Sequence, residues 1–318
     1  MAISNNSKII ALIGQTASGK SALASDLARE YGLDIFCLDS LSIYKDINIF
    51  SAKPSAEIRR EIVHFGLDML EIEQKCNAKI FFDLLQNALA VENRGLIIVG
   101  GSSFFLKSII NGLSIMPNLT EEKSAKMKEA LKNIDPFELL KQIEPDTKIN
   151  RNDHFRIHKS LEIYFATNLA PSAYFRAFPP VPLLISLGRK IDIYNLKLDK
   201  EKLKNNIKKR LEHMLEMGAI CEIEDILKAM SKDDLALLRE DYDAFFAKFP
   251  ALKSIGAREA ISFLQGKIDL QELKDQIFYH TCQLAKRQGT FNRTQFQNVT
   301  SGSAKELKLA ISRGLKSI

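Results

Sequence analysis

The sequence predicts an α/β protein of the P-loop NTPase-like kind: a parallel sheet with helices on both faces, plus a helical insertion. Three observations carry that expectation. Short apolar runs read as strands buried on both faces. The first of them passes through a glycine-rich turn into a helical pattern. Further runs of the same kind alternate with helix-period segments, as in parallel sheets built from crossover units.

Taken in order, Lys8–Ile13 is apolar with little alternation and reads as the first strand. The turn Gly14-Gln15-Thr16-Ala17-Ser18-Gly19-Lys20-Ser21 follows, and Ser21–Glu30 then reads as a helix. Asp34–Leu38 is a second strand, Ala78–Val91 a helix, and Leu96–Val99 a third strand that ends at Gly100-Gly101. Leu183–Leu187 is expected as a fourth. From Met116 to about Pro182 the chain is helical in pattern and charged, interrupted by Pro117, Pro136, Pro145 and Pro171 and closed by Phe178-Pro179-Pro180-Val181-Pro182. Residues 116–182 are therefore expected to form the insertion, between core segments 1–115 and 183–318. Glu201–Met217 carries Leu203, Ile207, Leu211, Met214 and Leu215 at helical spacing and stops at Gly218.

With 318 residues, 46% hydrophobic and 26% charged, the chain has an ordinary globular composition and enough length for a sizeable core. No run approaches the ~20 apolar residues of a membrane span, and the N-terminal apolar run is too short for a signal peptide. A cytoplasmic protein with no membrane partner is expected. Cys37, Cys76, Cys221 and Cys282 form no C-x-x-C unit, so buried free thiols are expected in place of a zinc or redox site. The net charge is +6. All of it resides between His280 and Ile318, where seven Lys or Arg face one acid, Glu306. That asymmetry points to a polyanionic partner or, equally, to a solvated helical face with spare cations.

The motif with the most chemistry is Gly14–Ser21, a G-x-x-x-x-G-K-[ST] loop. Glycines let backbone N–H groups turn toward one anion, and the following helix adds its positive end. Lys20 neutralises terminal phosphate oxygens and the Ser21 hydroxyl can ligate Mg²⁺. Such a loop serves NTPases, small-molecule kinases and some transferases alike. Asp39 follows the second strand, where carboxyl ends line the ligand crevice of an open sheet; it is a candidate base or an ordinary helix-capping aspartate. Ser102, after Gly100-Gly101, offers a hydroxyl to the same crevice or merely caps a turn. Arg210 can supply a charged fork for a diphosphate, or face water beside Lys208 and Lys209. Lys286-Arg287-Gln288-Gly289-Thr290-Phe291-Asn292-Arg293 mixes cations with an aromatic, which suits RNA but also describes many surface helices. Asp153, Arg156, His158 and Lys159 form a second ambiguous polar group. The five histidines show no metal spacing.

Together these pieces resemble the bacterial tRNA dimethylallyltransferase family. Gly14–Ser21 is similar to that family's GPTASGKT loop. Asp39-Ser40-Leu41-Ser42-Ile43-Tyr44, running on to Ser51-Ala52-Lys53-Pro54, resembles DSxxIY…TAKP, and His64 to Asp68 resembles HxLLD. Val99–Ser102 is similar to VGGT, Asn150–Arg156 to HPNDxxR, and Ser160–Tyr164 to the RALEVY region. Arg210, Met214 and Gly218 match RxxxMxxxG. Ser254–Glu259 resembles xxIGYRE, and Gln283–Gln288 reads QLAKRQ. The segments run in order from about residue 8 to 295. Departures stand at Gln15 for proline, Ser102 for threonine, Ala257 for tyrosine, Cys282 for arginine, and Phe291-Asn292 for tryptophan and its neighbour.

The resemblance implies a P-loop core and an insertion that grips the anticodon stem–loop. It also implies transfer of a dimethylallyl group from dimethylallyl diphosphate to the exocyclic amine of the adenosine 3′ of the anticodon. Asp39, Ser102 and Arg210 would be catalytic. Gly14, Gln15, Thr16, Ala17, Ser18, Gly19, Lys20 and Ser21 would hold the diphosphate, with Mg²⁺ on Ser21. Asp39, Ser40, Leu41, Ser42, Ser102, Lys123, Phe155, Arg156, Ile157, His158, Lys159, Arg258, Lys286, Arg287 and Arg293 would contact tRNA, and the protein would act as a monomer. The rival expectations are a P-loop kinase of a small substrate, a non-catalytic tRNA-binding protein, and an enzyme that prenylates free AMP.

Overall fold

The computed structural model describes residues 8–92 and 94–316. They divide into two compact units, one made of the residues up to Ile110 and from Leu183 onward, the other of Asn111–Pro182.

The first unit is built on strands β1 (Ile9–Gly14), β2 (Asp34–Cys37), β3 (His64–Phe65), β4 (Leu96–Gly100), β5 (Ile191–Leu196) and β6 (Thr300–Gly302). They pair in the order β3-β2-β4-β1-β5-β6, every pair parallel. Along the chain run the helices α1 (Lys20–Tyr31), α2 (Ala56–Glu61), α3 (Ala78–Val91), α4 (Ser103–Asn111), α5 (Glu121–Ala130), α6 (Pro136–Ile143), α7 (His154–Thr167), α8 (Pro171–Ala177), α9 (Leu183–Ser186), α10 (Lys200–Glu216), α11 (Ala219–Lys228), α12 (Lys232–Glu240), α13 (Tyr242–Lys248), α14 (Ala257–Leu264), α15 (Leu270–Gln295) and α16 (Ala304–Lys316).

The strands sort their side chains by the two-residue period of extended backbone. Ile10, Leu12, Ile35, Cys37, Ile97 and Val99 pack on one face with Leu23 and Leu27 of α1 and Leu307 and Ile311 of α16. Ile9, Ala11, Ile13, Phe36, Leu96 and Ile98 pack on the other with Phe81 and Leu85 of α3, Leu211 and Met214 of α10, and Leu273 and Ile277 of α15. Both faces are covered, which is why the strands read as continuous apolar runs rather than alternating ones. Helix ends follow local chemistry. Asn77 caps α3, Asp199 caps α10, and Asp269 with Glu272 forms a capping box on α15.

One strand expectation is corrected. Leu183–Leu187 is not a strand. Leu183–Ser186 forms the short helix α9, entered from Pro182 and left through Gly188 at φ +64°. Proline presets a helical φ at such a start, and the glycine adopts the left-handed conformation that ends the turn. The strand comes a few residues later, at Ile191–Leu196, whose interleaved Asp192 and Asn195 hide it from a search for unbroken apolar runs.

Within the second unit, α5, α6 and α7 close on Met127, Leu140, Ile157 and Leu161. The unit begins at Asn111 rather than Met116, and Leu113 bridges antiparallel to Val181 near its other end.

Candidate active site

The anion loop is a backbone device. From β1 the chain turns through Ala17 at φ 60° and Gly19 at φ +92°, then enters α1 at Lys20. Glycine occupies that position at no steric cost. Lys20 is buried, and its ammonium donates to the Gln15 carbonyl at 3.2 Å. Burial pulls its pKa down from 10.5 to about 8, Asp39 opposing and Arg210 reinforcing the shift. The Ser18 hydroxyl is buried without a hydrogen-bond partner among the described residues. An orphan hydroxyl and a desolvated ammonium in one loop fit a bound diphosphate.

Two strand ends stand beside the loop. Past β2, Asp39 accepts the Leu41 and Ser42 N–H groups on Oδ1, at 2.9 and 3.3 Å. It is thus a turn cap and a cleft residue at once, since its side chain also lines the cleft described below. Past β4, Gly100 lies so close to β2 that a Cβ there would sit 1.9 Å from the Leu38 carbonyl oxygen. Only glycine permits that approach, which draws Ser102 onto Asp39's turn: Ser102 Oγ accepts the Ser40 N–H at 3.1 Å. An accepting hydroxyl still has its own hydrogen to donate.

The opposite wall comes from α10 and α15. Ile207, Arg210, Leu211 and Met214 line the cleft at helical spacing. Arg210 therefore belongs to the inward stripe, unlike the exposed Lys208 and Lys209. Its Nη1 donates to Thr16 Oγ1 at 3.4 Å, and burial lowers its pKa against the pull of Asp39. On α15, Gln288 straps two walls together. Its Oε1 accepts the Thr16 N–H at 2.7 Å, and its Nε2 donates to the Gly101 carbonyl at 3.0 Å. Gln15 Nε2 donates to the Ala285 carbonyl at 2.9 Å. The cleft so enclosed measures about 480 Å³, and Phe50, Phe104, Phe105, Ile277 and Phe291 make much of its lining apolar.

Residues 42–295 match the family model described as IPP transferase. The chain is 44% identical over 314 residues to a tRNA dimethylallyltransferase of Helicobacter pylori, spanning 98% of this chain and 95% of that protein. It is 38% identical over 312 residues to one from Sulfurovum, covering 96% and 97%.

This chain belongs to the IPP transferase family.

Among solved structures, the transferase fold is shared with a eukaryotic dimethylallyltransferase acting on tRNA, at TM-score 0.82 and 24% identity over 98% of this chain and 80% of that one. It is also shared with the full-length tRNA isopentenylpyrophosphate transferase of Bacillus halodurans, at TM-score 0.65 and 21% identity over 98% of each.

The other expected site residues of this transferase fall in several places. Ser40 and Leu41 line the cleft and Ser42 is buried beneath it. Arg287 lines the cleft as well, whereas Lys286 and Arg293 line a second cavity. Arg258 is held by Glu259 at 2.8 Å, a buried carboxylate that also meets Gly256 N and His280 Nδ1. The remaining tail cations lie on α16, which packs with α1 on the other face of the sheet; Lys308, for one, pairs with Glu30 at 2.9 Å. The basic tail is therefore not one surface.

In the second unit, Phe155, Arg156, His158 and Lys159 are exposed along the start of α7. Ile157 does not join them: at 1% exposure it is a core residue and cannot reach a partner, because the helical period turns it inward. The Lys123 ammonium is engaged by the Ala166 carbonyl at 2.5 Å. Of the cysteines, Cys37 is buried and pushed up to about 12 by burial, while Cys221 is exposed, against the expectation of uniformly buried thiols. Among the described residues no helix is long and apolar enough to cross a membrane. None of them form a group of three or more His, Cys, Asp or Glu side chains able to hold a metal.

Sequence reasoning missed Gln288 as a strap and the apolar wall of the cleft. The signal for the wall was present: Arg210 follows Ile207 by three residues and precedes Met214 by four, which places it on the buried stripe. No local pattern announces the Gln288 bonds, whose partners lie 187 and 272 residues away.

Proposed function

We propose that this protein transfers a dimethylallyl group from dimethylallyl diphosphate to the exocyclic amine of the adenosine 3′ of the anticodon in tRNA, releasing diphosphate. The observation that carries the reading is the meeting of Asp39, Ser102 and Arg210 around a largely apolar cleft beside an anion loop. A diphosphate alone would need the loop and no apolar wall. An isoprenoid needs that wall, and developing positive charge on its carbon needs water kept away. The names of the relatives and of the structural neighbour agree with a tRNA acceptor.

An adenosine stacked in a loop is out of reach, so it must be turned out into the cleft. Its amine is a weak nucleophile, because the lone pair is delocalised into the ring, and orientation supplies much of the rate. Asp39 is fixed through Oδ1 by two N–H groups. Its Oδ2 has no hydrogen-bond partner among the described residues and accepts the proton from the amine. Ser102 donates its free hydrogen. As the carbon–oxygen bond breaks, Lys20 and Arg210 stabilise the charge gathering on the diphosphate. Ser21 Oγ and the diphosphate oxygens are hard donors that would hold Mg²⁺, which would supply further neutralisation of that charge. The loop reads diphosphate through its backbone and Lys20, and that recognition requires no adenine, so transfer proceeds without ATP.

Incubation with labelled dimethylallyl diphosphate, Mg²⁺ and unmodified tRNA tests the reading. Label should move to tRNA with ATP absent. Label reaching free AMP but not tRNA, phosphate released from ATP on adding tRNA, or RNA binding with no turnover would each replace it with one of the rivals.

A further inference from the structure

A second cavity, of about 1050 Å³, opens on the side of α15 away from the cleft, at the carboxyl ends of β5 and β6. Five cations line it, Lys197, Lys200, Lys204, Lys286 and Arg293, and no carboxylate does. Of the five, only Lys204 has an ion-pair partner among the described residues, the exposed Glu201 at 3.1 Å. The cavity wall also contains Asn292, 3% exposed, with both side-chain amide atoms lacking a hydrogen-bond partner. Gln15, Cys282 and Asn292, three positions where the sequence departs from the pattern it otherwise resembles, all border this one cavity. The mechanism above uses none of it except the loop residue Gln15.

Clustered like charges repel one another, and such a cluster is suited to a polyanion that neutralises it. The cations come from three elements, the end of β5, the first turns of α10 and the outer side of α15. Five cations from three elements, with no carboxylate among them, match a ligand carrying several phosphates better than a single small anion. Lysine serves as a mobile point charge for such a backbone. An amide that both gives and takes a hydrogen bond has the same two-way character as the 2′-hydroxyl that distinguishes RNA. Neighbouring Arg287 lines the cleft while Lys286 lines the cavity, so a strand crossing α15 would meet both.

We propose that this cavity receives the sugar–phosphate backbone of the same tRNA whose adenosine enters the cleft, with Lys197, Lys200 and Lys204 as phosphate contacts. The proposal rests on the tRNA reading above.

The test is a triple variant, Lys197→Ala with Lys200→Ala and Lys204→Ala, whose tRNA affinity is measured over a range of salt. Each lost contact removes roughly 0.7–0.9 from the log–log salt slope, so the slope should fall by about 2 and affinity by about tenfold or more near 0.1 M salt. Transfer at saturating tRNA and affinity for dimethylallyl diphosphate should stay within twofold. Arginine at the same three positions should restore the slope. An unchanged slope in a variant that melts like the parent overturns the proposal. So does a tenfold loss of inorganic diphosphate binding with the tRNA slope intact, which would assign the cavity to a small anion. If the parent binds tRNA with the expected slope difference yet transfers nothing, the proposed reaction fails and this surface stands.

Discussion

The carboxyl edge of the sheet carries two unlike surfaces. Over β2, β4 and β1 it opens into the cleft lined by Leu211, Met214, Ile277 and Phe291; over β5 and β6 it carries five cations and no carboxylate. The same two helices furnish both. α10 gives Leu211 and Met214 to one side, Lys200 and Lys204 to the other. α15 gives Leu284 and Phe291 to the first, Lys286 and Arg293 to the second. The helical period sorts one sequence into an apolar wall and a charged wall. The proposed reaction would use the first, where an isoprenoid can pack beside fixed donors. The proposed tRNA contact would use the second.

The comparison breaks most visibly at Lys20. Lys20→Ala should abolish transfer, since each lost donor to a developing oxyanion costs on the order of 10²–10³ in rate; the parent should hydrolyse no ATP, with or without tRNA. Asp39→Asn should cut single-turnover transfer by roughly 10²-fold or more while tRNA affinity stays nearly intact. Turnover within a few-fold of the parent would leave Asp39 as a turn cap only.

Raising the pH separates binding from stability. The folded-state pKa of Lys20 is depressed to about 8. Affinity for dimethylallyl diphosphate should be flat below pH 8 and fall about tenfold per unit above it, as the ammonium loses its proton. Between 8 and the usual lysine value the unfolded chain holds the proton that the folded one has released, so this group's contribution to stability rises with pH over the same window. Isothermal titration and thermal melts at pH 7 to 10 read the two opposite trends; an affinity that ignores pH through 9 would place the lysine away from the diphosphate.

The smallest effect belongs to the pair that straddles the two, Arg287 on the cleft and Lys286 on the cation-lined cavity. Lys286→Ala with Arg287→Ala should weaken tRNA binding and flatten its salt dependence by about one unit of slope per lost contact, leaving donor affinity almost unchanged. No change in slope would make both residues part of a solvated face.

Much of this was readable in advance, for physical reasons. The anion loop, the first strands and α3 are local: a short apolar run, a glycine turn or a helical period each lies within a few residues. Leu183–Leu187 misled because an apolar run between Pro182 and Gly188 suits a helical turn as well as a strand. β5 was missed because polar residues interleave in Ile191–Leu196. The candidate site was legible only in part. Asp39 and Ser102 follow from strand ends, but their meeting depends on Gly100 lying against β2, a contact across 62 residues of chain. Ile157 shows the reverse error, in which a motif's neighbours were taken for surface although the helical period turns that one side chain inward.

The Gln288 strap gives the molecule a built-in gauge. The Thr16 amide hydrogen is held by a side chain of α15, so it exchanges with deuterium only when that bond opens. Protection of such an amide reports the free energy of the opening. Mass spectrometry of the segment around Thr16 therefore measures how firmly the loop is tied to α15, with no substrate present. Gln288→Ala should erase that protection.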